Sequence, residues 1–392
     1  MRLTNGNLWE LKVCENVSTK GGQQVKAAMP RYKASQPAGF FDAAERIGQL
    51  RAMQDPVLRL HEAIDWELFR PTLEALVAIT PKGPGGQRPF DPLLMFKALV
   101  LGRLHNLADQ ALERQIRKDL SFMSFLGLTL ADRVPDEKTL WEFRQKIGAE
   151  QGFRKLFDEF NGHLRSRGMF TKEGRIIDAT FVEVPRQRNS REENAQIKAG
   201  QVPPEWQQEP HKLAQKDTDA RWTKKNHVSY YGYKNHVKSD AGSKLIEDFS
   251  VTAASEHDSQ QFDTLVAEGD GTDWADSAYS GAPCEQVLAA KGVIGQVCEK
   301  GTRGHPLTEE QKASNRQKSK VRSRGEHPFA LMTCSMGGLI ARCIGLVRNT
   351  WGIALTNLVY NFARYEQIVR LKLDTWNHSL TAATLGNAAG LA

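Results

Sequence analysis

The spacing of apolar residues changes once along the chain, near residue 170, and this change sets the class of fold. From about 55 to 168, apolar residues recur three and four apart in "DPVLRLHEAIDWELFRPTLEALVAI" and "DPLLMFKALVLGRLHNLADQALERQI", which predicts helices. From about 174, short β-branched or alternating segments bounded by turn residues, beginning with "GRIIDATFVEVP", predict strands. The sequence therefore predicts an α-helical region followed by a mixed α/β domain.

The same patterns divide the chain into four parts. Residues 1–50 are polar and lack sustained periodicity, so we expect a poorly ordered extension. Residues 51–168 form the helical N-terminal region, 169–370 the α/β domain, and 371–392 a C-terminal tail. Within the α/β domain, the polar stretch at about 186–227 is interpreted as a long insertion or mobile loop.

Composition favours a polyanionic partner and argues against several other classes of protein. The formal net charge is +7 and the basic residues are clustered, which favours nucleic acid or an anionic membrane surface. No run of about 18 uncharged apolar residues occurs, so a membrane span is not expected, nor does the N-terminus have a signal-peptide pattern. The five cysteines are scattered without a CxxC pair, which is typical of a reducing cytoplasm and argues against a zinc site.

One carboxylate, Glu326, follows a dense run of cations. Between residues 312 and 324 there is no acid, and the basic residues are Lys312, Arg316, Lys318, Lys320, Arg322 and Arg324. The pattern alone allows two interpretations. Glu326 completes the charge pattern of a surface helix, or it acts on an anion that the cations hold.

Two aspartates occupy comparable places in the predicted sheet. Asp178 is predicted to end the first strand and Asp276 the fourth, while Glu326 lies on the helix after the fifth. Open α/β sheets place their sites beyond the carboxyl ends of parallel strands. Oxygen ligands of this kind suit Mg²⁺, and two such ions stabilise the attacking and leaving oxygens of a phosphoryl displacement. With 46 acids in the chain, an aspartate at a strand end is also often only a turn residue.

Five blocks of the α/β domain match, in the same order, transposases of the insertion-sequence-five type. These blocks are "IIDATFVEVP", "YYGYKNHVKSDAGS", "SVTAASEHDSQQF", "WADSAYSGAP" and "VRSRGEHPF". The upstream segments "RPFDPLLMFKALVLGRLHNLADQALERQIRKDLSFMSFLGL" and "PDEKTLWEFRQ" and the downstream "GLVRNTWGIALTNLVYNFARYEQI" resemble the family's flanking helices. The resemblance covers about residues 80–370.

The resemblance implies a bacterial DDE transposase with an RNase H-like catalytic domain behind its helical region. By position, the three catalytic, metal-binding acids would be Asp178, Asp276 and Glu326. They would bind two Mg²⁺ ions, for which Mn²⁺ would substitute. The implied reaction is cleavage of DNA at the element's ends by water, followed by attack of the freed 3′-hydroxyl on target DNA.

The family's partners follow from the same resemblance. The chain would bind double-stranded DNA, both terminal inverted repeats and target, as a homodimer or higher oligomer, in the cytoplasm and associated with the nucleoid. The helical region would serve DNA binding or dimerisation. Two alternatives stay open: a catalytically impaired, transposase-derived DNA-binding protein, and an RNase H-like nuclease without strand transfer.

The last block departs from the family pattern at three positions. Ser319 stands where a tyrosine is common, Thr333 where a lysine is common, and Gly325 where a β-branched residue is common. A glycine inside a helix costs about 1 kcal/mol relative to alanine, so we expect a less rigid helix around Glu326. Loss of the lysine would remove one phosphate contact.

Several further residues are candidates for DNA binding. The basic run contributes Lys318, Lys320, Arg322 and Arg324. Lys234 and His236 alternate along one strand and would line the DNA groove, or the lysine protects an exposed strand edge. Tyr279 contacts DNA or packs its loop. Asp258 supports the metal site or, as the favoured alternative, caps the following helix.

Overall fold

The computed structural model describes residues 39–78, 88–225, 227–302 and 304–376, and it has the helical region that the sequence predicts. The helices ahead of the sheet are α1 (Asp42–Ala52), α2 (Pro56–Ala63), α3 (Arg70–Val77), α4 (Pro92–Leu104), α5 (Asp109–Lys118), α6 (Leu120–Leu126), α7 (Glu137–Ala149) and α8 (Gly152–Ser166), with a 3-10 turn at Trp66–Phe69. Most of the predicted extension, 1–38, and the end of the predicted tail, 377–392, lie outside the described residues.

Strands and helices then alternate. The strands are β1 (Arg175–Glu183), β2 (Arg221–Lys225), β3 (Val228–Asp240), β4 (Ile246–Ala253), β5 (Thr272–Ala275) and β6 (Ile294–Val297). The helices are α9 (Arg191–Lys198), α10 (Pro204–Gln208), α11 (Pro210–Leu213), α12 (Phe262–Leu265), α13 (Ala282–Ala290), α14 (Glu309–Arg322), α15 (Glu326–Cys334) and α16 (Leu346–Leu371), with 3-10 turns at Asp258–Gln261, Ser277–Tyr279 and Ser323–Gly325.

Aspartate caps start several of the N-terminal helices. The Asp91 carboxylate accepts a hydrogen bond from the amide of Leu93 at 2.7 Å, ahead of Pro92 at the first helical position. Asp136 likewise accepts from the amide of Thr139 at 2.8 Å. Each cap satisfies an amide that the first turn leaves without a helical partner.

The six strands form one mixed sheet, as the sequence predicts. β1 lies between β3, which pairs with it antiparallel, and β5, which pairs with it parallel. β6 continues the parallel side beyond β5. On its other edge β3 pairs antiparallel with β2 and then with β4. A turn that begins at Asp240 joins β3 to β4, and the Asp240 carboxylate accepts hydrogen bonds from the amides of Gly242 and Ser243.

The helical region and the sheet share one hydrophobic core, and α16 joins them. The Phe362 ring of α16 packs 4.7 Å from Phe160 and 5.4 Å from Trp66, measured between ring centroids. Side chains of the sheet, Val237 and Phe249, belong to the same core cluster. Removing α16 would therefore expose both parts of the protein.

The stretch predicted as a long insertion or mobile loop is folded, so the mobile-loop interpretation is wrong. It contains α9, α10, α11 and β2. Trp206 is fully buried, its indole N–H donates to Glu193 at 2.7 Å, and the Lys216 ammonium lies 4.8 Å from its ring centroid. A single tryptophan supplies a large buried area, so this segment folds without the regular apolar spacing that the prediction required.

Asp273 on β5 is a buried carboxyl whose oxygens have no hydrogen-bond partner among the described residues. Burial raises its pKa from 3.8 to about 7, and the charge of Asp270 adds to the increase. Because this pKa is higher in the folded protein than in the unfolded chain, the Asp273 carboxyl makes its full contribution to stability below pH 3.8. That contribution is lost as the pH rises towards 7. At pH 8 we expect the free energy of unfolding of Asp273→Asn, measured in urea, to exceed that of wild type by up to about 4 kcal/mol. At pH 4 the two proteins should differ little. An equal difference at both pH values would contradict this.

None of the helices in the described part of the chain combines the length and the apolar character needed to span a membrane.

Candidate active site

Asp178 and Asp276 lie side by side because β1 and β5 run parallel. Ile177 pairs with Ala275 in the last step of that ladder, and each aspartate is the next residue along its chain. The prediction that Asp178 ends the first strand is wrong. β1 continues to Glu183 because β3 still pairs with it there, whereas β5 stops at Ala275. Asp178 is therefore the first residue of β1 beyond its parallel neighbour.

The carboxylate of Asp178 is largely buried and partly compensated. It accepts a hydrogen bond from the amide of Ala179 at 2.8 Å, and Arg322 Nη1 lies 3.4 Å from its Oδ2. Burial raises the pKa of Asp178, and the negative charge of Asp276 adds to that increase, while the amide and Arg322 oppose it. The net result is that the charged form of Asp178 is disfavoured relative to an exposed carboxylate.

Asp276 has a second contact that fixes its position. Its Oδ1 accepts a hydrogen bond from the amide of Ala278 at 2.8 Å and so caps the 3-10 turn Ser277–Tyr279. The interpretation as a turn residue and the interpretation as a site residue are therefore compatible. The capped turn holds the carboxylate beside β1.

The basic run and Glu326 lie on two helices, so the prediction of one helix is wrong. α14 ends at Arg322, the turn Ser323–Gly325 follows, and Glu326 begins α15. A Cβ atom on Gly325 would lie 2.5 Å from Cγ2 of the buried Ile176. Gly325 is therefore not a loose point inside a helix. It allows the turn to pack directly on β1.

This contact places the Glu326 backbone next to the face of β1 that carries Asp178. Alternate residues of a strand point to the same face, so Ile176 and Asp178 share one. The Glu326 side chain is exposed and makes no hydrogen bond or ion pair with another described residue. Across the described ranges, no three His, Cys, Asp or Glu side chains are arranged to hold a metal ion.

The predicted basic residues have different partners. Lys318 Nζ donates to the carbonyl of Val297 at 2.8 Å, at the end of β6. Arg324 pairs with Glu173 at 2.7 Å and Arg322 with Asp178. Lys320 is exposed. The run therefore both attaches α14 to the sheet and presents charge to solvent.

Lys234 and His236 lie on β3 between two strands, so neither is at a sheet edge. His236 is fully buried, its Nε2 lies 2.8 Å from Thr252 Oγ1, and burial lowers its pKa to about 4, which keeps the ring neutral at pH 7. Lys234 Nζ donates to Asp258 at 2.8 Å and to the carbonyl of Glu256 at 2.6 Å. The described conformation offers DNA little of either side chain.

Tyr279 is also buried, and its hydroxyl has no hydrogen-bond partner within the described ranges. Its pKa is raised well above the usual value by burial and by the charges of Asp258, Asp178 and Asp276. The ring packs 5.3 Å from Phe262 between centroids. Of the two interpretations of Tyr279, the packing one describes this conformation.

Sequence reasoning missed the role of Asp258. The favoured helix-cap interpretation is wrong, because His257 caps the turn and Asp258 instead binds Lys234, with His236 Nδ1 at 3.9 Å. The alternating Lys and His of "GYKNHV" were the signal for a partner acid on that face. The sequence also did not indicate the role of Lys225. Its positive charge lowers the pKa of Asp178, although the two residues lie too far apart in the chain for a local pattern to connect them.

Two protein-family models match the chain. The model described as Transposase domain (DUF772) matches residues 45–146, and the model described as Transposase DDE domain matches residues 169–362. No solved structure matches the chain significantly. The DDE domain implies an RNase H-like fold for the mixed sheet, and the DUF772 match covers most of the helical region ahead of it, from α1 into α7. With both transposase domains present in order over most of its length, the chain belongs to the DDE transposases.

Proposed function

We propose that this transposase cuts DNA at the ends of an insertion sequence and joins the freed 3′-hydroxyls to target DNA. Asp178, Asp276 and Glu326 would be its catalytic acids and would hold two Mg²⁺ ions, with Mn²⁺ able to substitute. The observation that carries the proposal is the adjacency of Asp178 and Asp276 on parallel strands. Glu326 starts a helix whose preceding turn packs on β1, and this supports its assignment as the third acid.

The two aspartates fit a divalent cation. Both are oxygen ligands, which Mg²⁺ prefers, and burial together with the neighbouring Asp276 already disfavours the charged form of Asp178. A cation would relieve this cost. Glu326 is free of other partners among the described residues and would supply the third carboxylate. When bound, the two ions would stabilise the attacking and leaving oxygens of the phosphoryl group.

The residues of the chain itself would bind and orient the DNA. Lys320 and Arg316 on α14 are exposed and would contact phosphates, as would Lys318, Arg322 and Arg324 once their present partners are exchanged. Lys234 and His236 would act on the site indirectly, by fixing the position of the Asp258 carboxylate. Because two element ends must be joined, the active species would be a dimer or higher oligomer on nucleoid DNA.

The test is cleavage and joining of a labelled duplex that carries the element's own terminal inverted repeats, with Mg²⁺ or Mn²⁺. We expect Asp276→Asn and Glu326→Gln to lower the cleavage rate by a hundredfold or more, since a metal contact supplies several kcal/mol. Asp263→Asn is the matched control, because Asp263 is exposed and its one ion pair within the described part of the chain is with Lys291. Cleavage that survives in Asp276→Asn would refute the assignment.

The products distinguish the alternatives. Nicked DNA without joined products, and without preference for the terminal repeats, would indicate a nuclease on the same fold. Specific binding of the repeats with no cleavage by wild type would indicate an impaired, DNA-binding relative.

A further inference from the structure

A second feature on the face of β1 that carries Asp178 is a cavity of about 560 Å³. It lies between the helices α4, α5 and α7 and the segment 339–356, which connects α15 to α16 and includes the first turns of α16. We call this cavity the basic cleft. Its charged lining residues are Arg103, Arg144, Arg342, Arg348 and Asp109. Arg144 pairs with Asp109, so the other arginines leave the cleft with a net positive charge.

Three arginines of the basic cleft, Arg103, Arg342 and Arg348, have no acidic partner among the described residues. The Arg103 guanidinium donates to the carbonyl of Gly338 at 2.7 Å, and its buried Nε has no partner among the described residues. Burial and the charge of Arg342 lower the pKa of Arg103 to about 10. Arg342 donates only to Asn106, and Arg348 is exposed with no ion pair inside the described ranges. An anion is the ligand that this charge distribution favours.

Trp141 gives the basic cleft an aromatic wall. It lies on α7, lines the cavity and is 48% exposed, which is unusual for so large an apolar side chain. Exposed aromatic rings next to arginines are the combination with which proteins bind single-stranded nucleic acid, since bases stack on the rings and phosphates contact the cations.

Strand β1 runs from the carboxylate of Asp178 to the basic cleft. Asp178, Thr180 and Val182 alternate on one face of β1. Thr180 lines a second cavity of about 420 Å³, and Val182 lines the basic cleft. Leu339 and Ile340 line both cavities, and Thr333, two turns after Glu326, lines the second. Glu183 is the acid in that second lining. The basic cleft therefore begins about 13 Å along β1 from Asp178.

We propose that the basic cleft binds a single DNA strand that leaves the carboxylate site, with phosphates on Arg342 and Arg348 and an unpaired base on Trp141. This inference deepens the proposed function and rests on it for the identity of the site beside Asp178. In this proposal the helical region contributes a surface that binds a single DNA strand and not the groove of a duplex.

The test measures binding of a labelled oligothymidine of about 12 nucleotides, a usual site size, to the full chain without divalent metal. We expect Trp141→Ala to weaken binding about tenfold, because stacking contributes one to three kcal/mol per base, while Trp141→Phe retains most of the affinity. We expect Arg348→Ala to reduce the slope of log K against log salt by about 0.7. Arg46→Ala, an exposed arginine outside the cleft, is the matched control.

An abasic oligonucleotide isolates the stacking contact. Trp141→Ala should bind it as wild type does, whereas Arg348→Ala should still bind it more weakly. Oligothymidine binding that is unchanged in both variants, or reduced equally by Arg46→Ala, would overturn the proposal. So would displacement of the oligonucleotide by an equal concentration of inorganic phosphate, which would indicate an ion site.

The outcome is separable from that of the proposed function. If Asp276→Asn abolishes cleavage while the variants of the basic cleft bind DNA normally, only the basic cleft assignment fails. If the cleft variants bind weakly and wild type never cleaves, the strand site stands and the catalytic proposal fails.

Discussion

Replacing Gly325 by valine, the kind of residue common at this position in the resembling family, is expected to destabilise the protein by about 3 kcal/mol. The new Cβ would lie 2.5 Å from Cγ2 of Ile176. Ile176 is buried on β1 and its Cγ2 is attached to the branched Cβ, so it has little freedom to move. Either β1 or the turn Ser323–Gly325 must shift, and both adjoin predicted catalytic acids.

Urea unfolding and cleavage assays on the same variant test this expectation. Gly162→Val is the matched control, because Gly162 lies inside α8 and a Cβ there meets nothing within 4 Å. The control should be as stable as wild type or slightly more stable, since glycine is poor in a helix. A Gly325→Val protein with wild-type stability and higher cleavage activity would support the sequence-based expectation and contradict the packing argument.

Replacing Asp217 by alanine is expected to cost about 4 kcal/mol of folding free energy. Asp217 is 2% exposed, and its carboxylate accepts hydrogen bonds from the Tyr233 hydroxyl at 2.7 Å and from the amides of Asp219 and Ala220 at 3.0 Å. It also accepts from the amide of Gly345 at 3.2 Å. Alanine would leave these buried donors without partners, which costs more than the bonds contribute.

Asp219→Ala provides the comparison within the same turn. Asp219 is exposed and, among the described residues, its side chain accepts from the amide of Leu346 alone, at the start of α16, so its loss should cost about 1 kcal/mol, as for a helix cap. Thermal unfolding of the two variants should separate them clearly. Equal shifts would mean that the buried network around Asp217 contributes little.

Asp217 also shows why the fold of the insertion was missed. The apolar content between 186 and 227 is low, and periodicity measures only apolar spacing. The segment folds through Trp206, the Asp217 hydrogen bonds and pairing of β2 with β3. Each of these contacts joins residues whose partnership no local pattern encodes.

The candidate site likewise combines residues that the sequence identified with features that only the structure shows. Spacing and resemblance selected Asp178, Asp276 and Glu326, and the pairing of β1 with β5 brings the first two together. The sequence did not show which of the candidate DNA-binding side chains are buried. Lys234, His236 and Tyr279 have the residue types of a DNA surface, yet Lys234 pairs with Asp258, His236 is buried against Thr252, and Phe262 packs on Tyr279.

The sequence by itself determined the helical region, the mixed sheet and the family, because helix and strand periods, turn residues and ordered motifs are local properties of the chain. Only the tertiary structure decided that Gly325 is a packing requirement, that Asp258 belongs with Lys234, and that α16 joins the helices and the sheet in one core. The physical reason is that close packing and burial depend on residues far apart in the chain, which meet only when the sheet has formed.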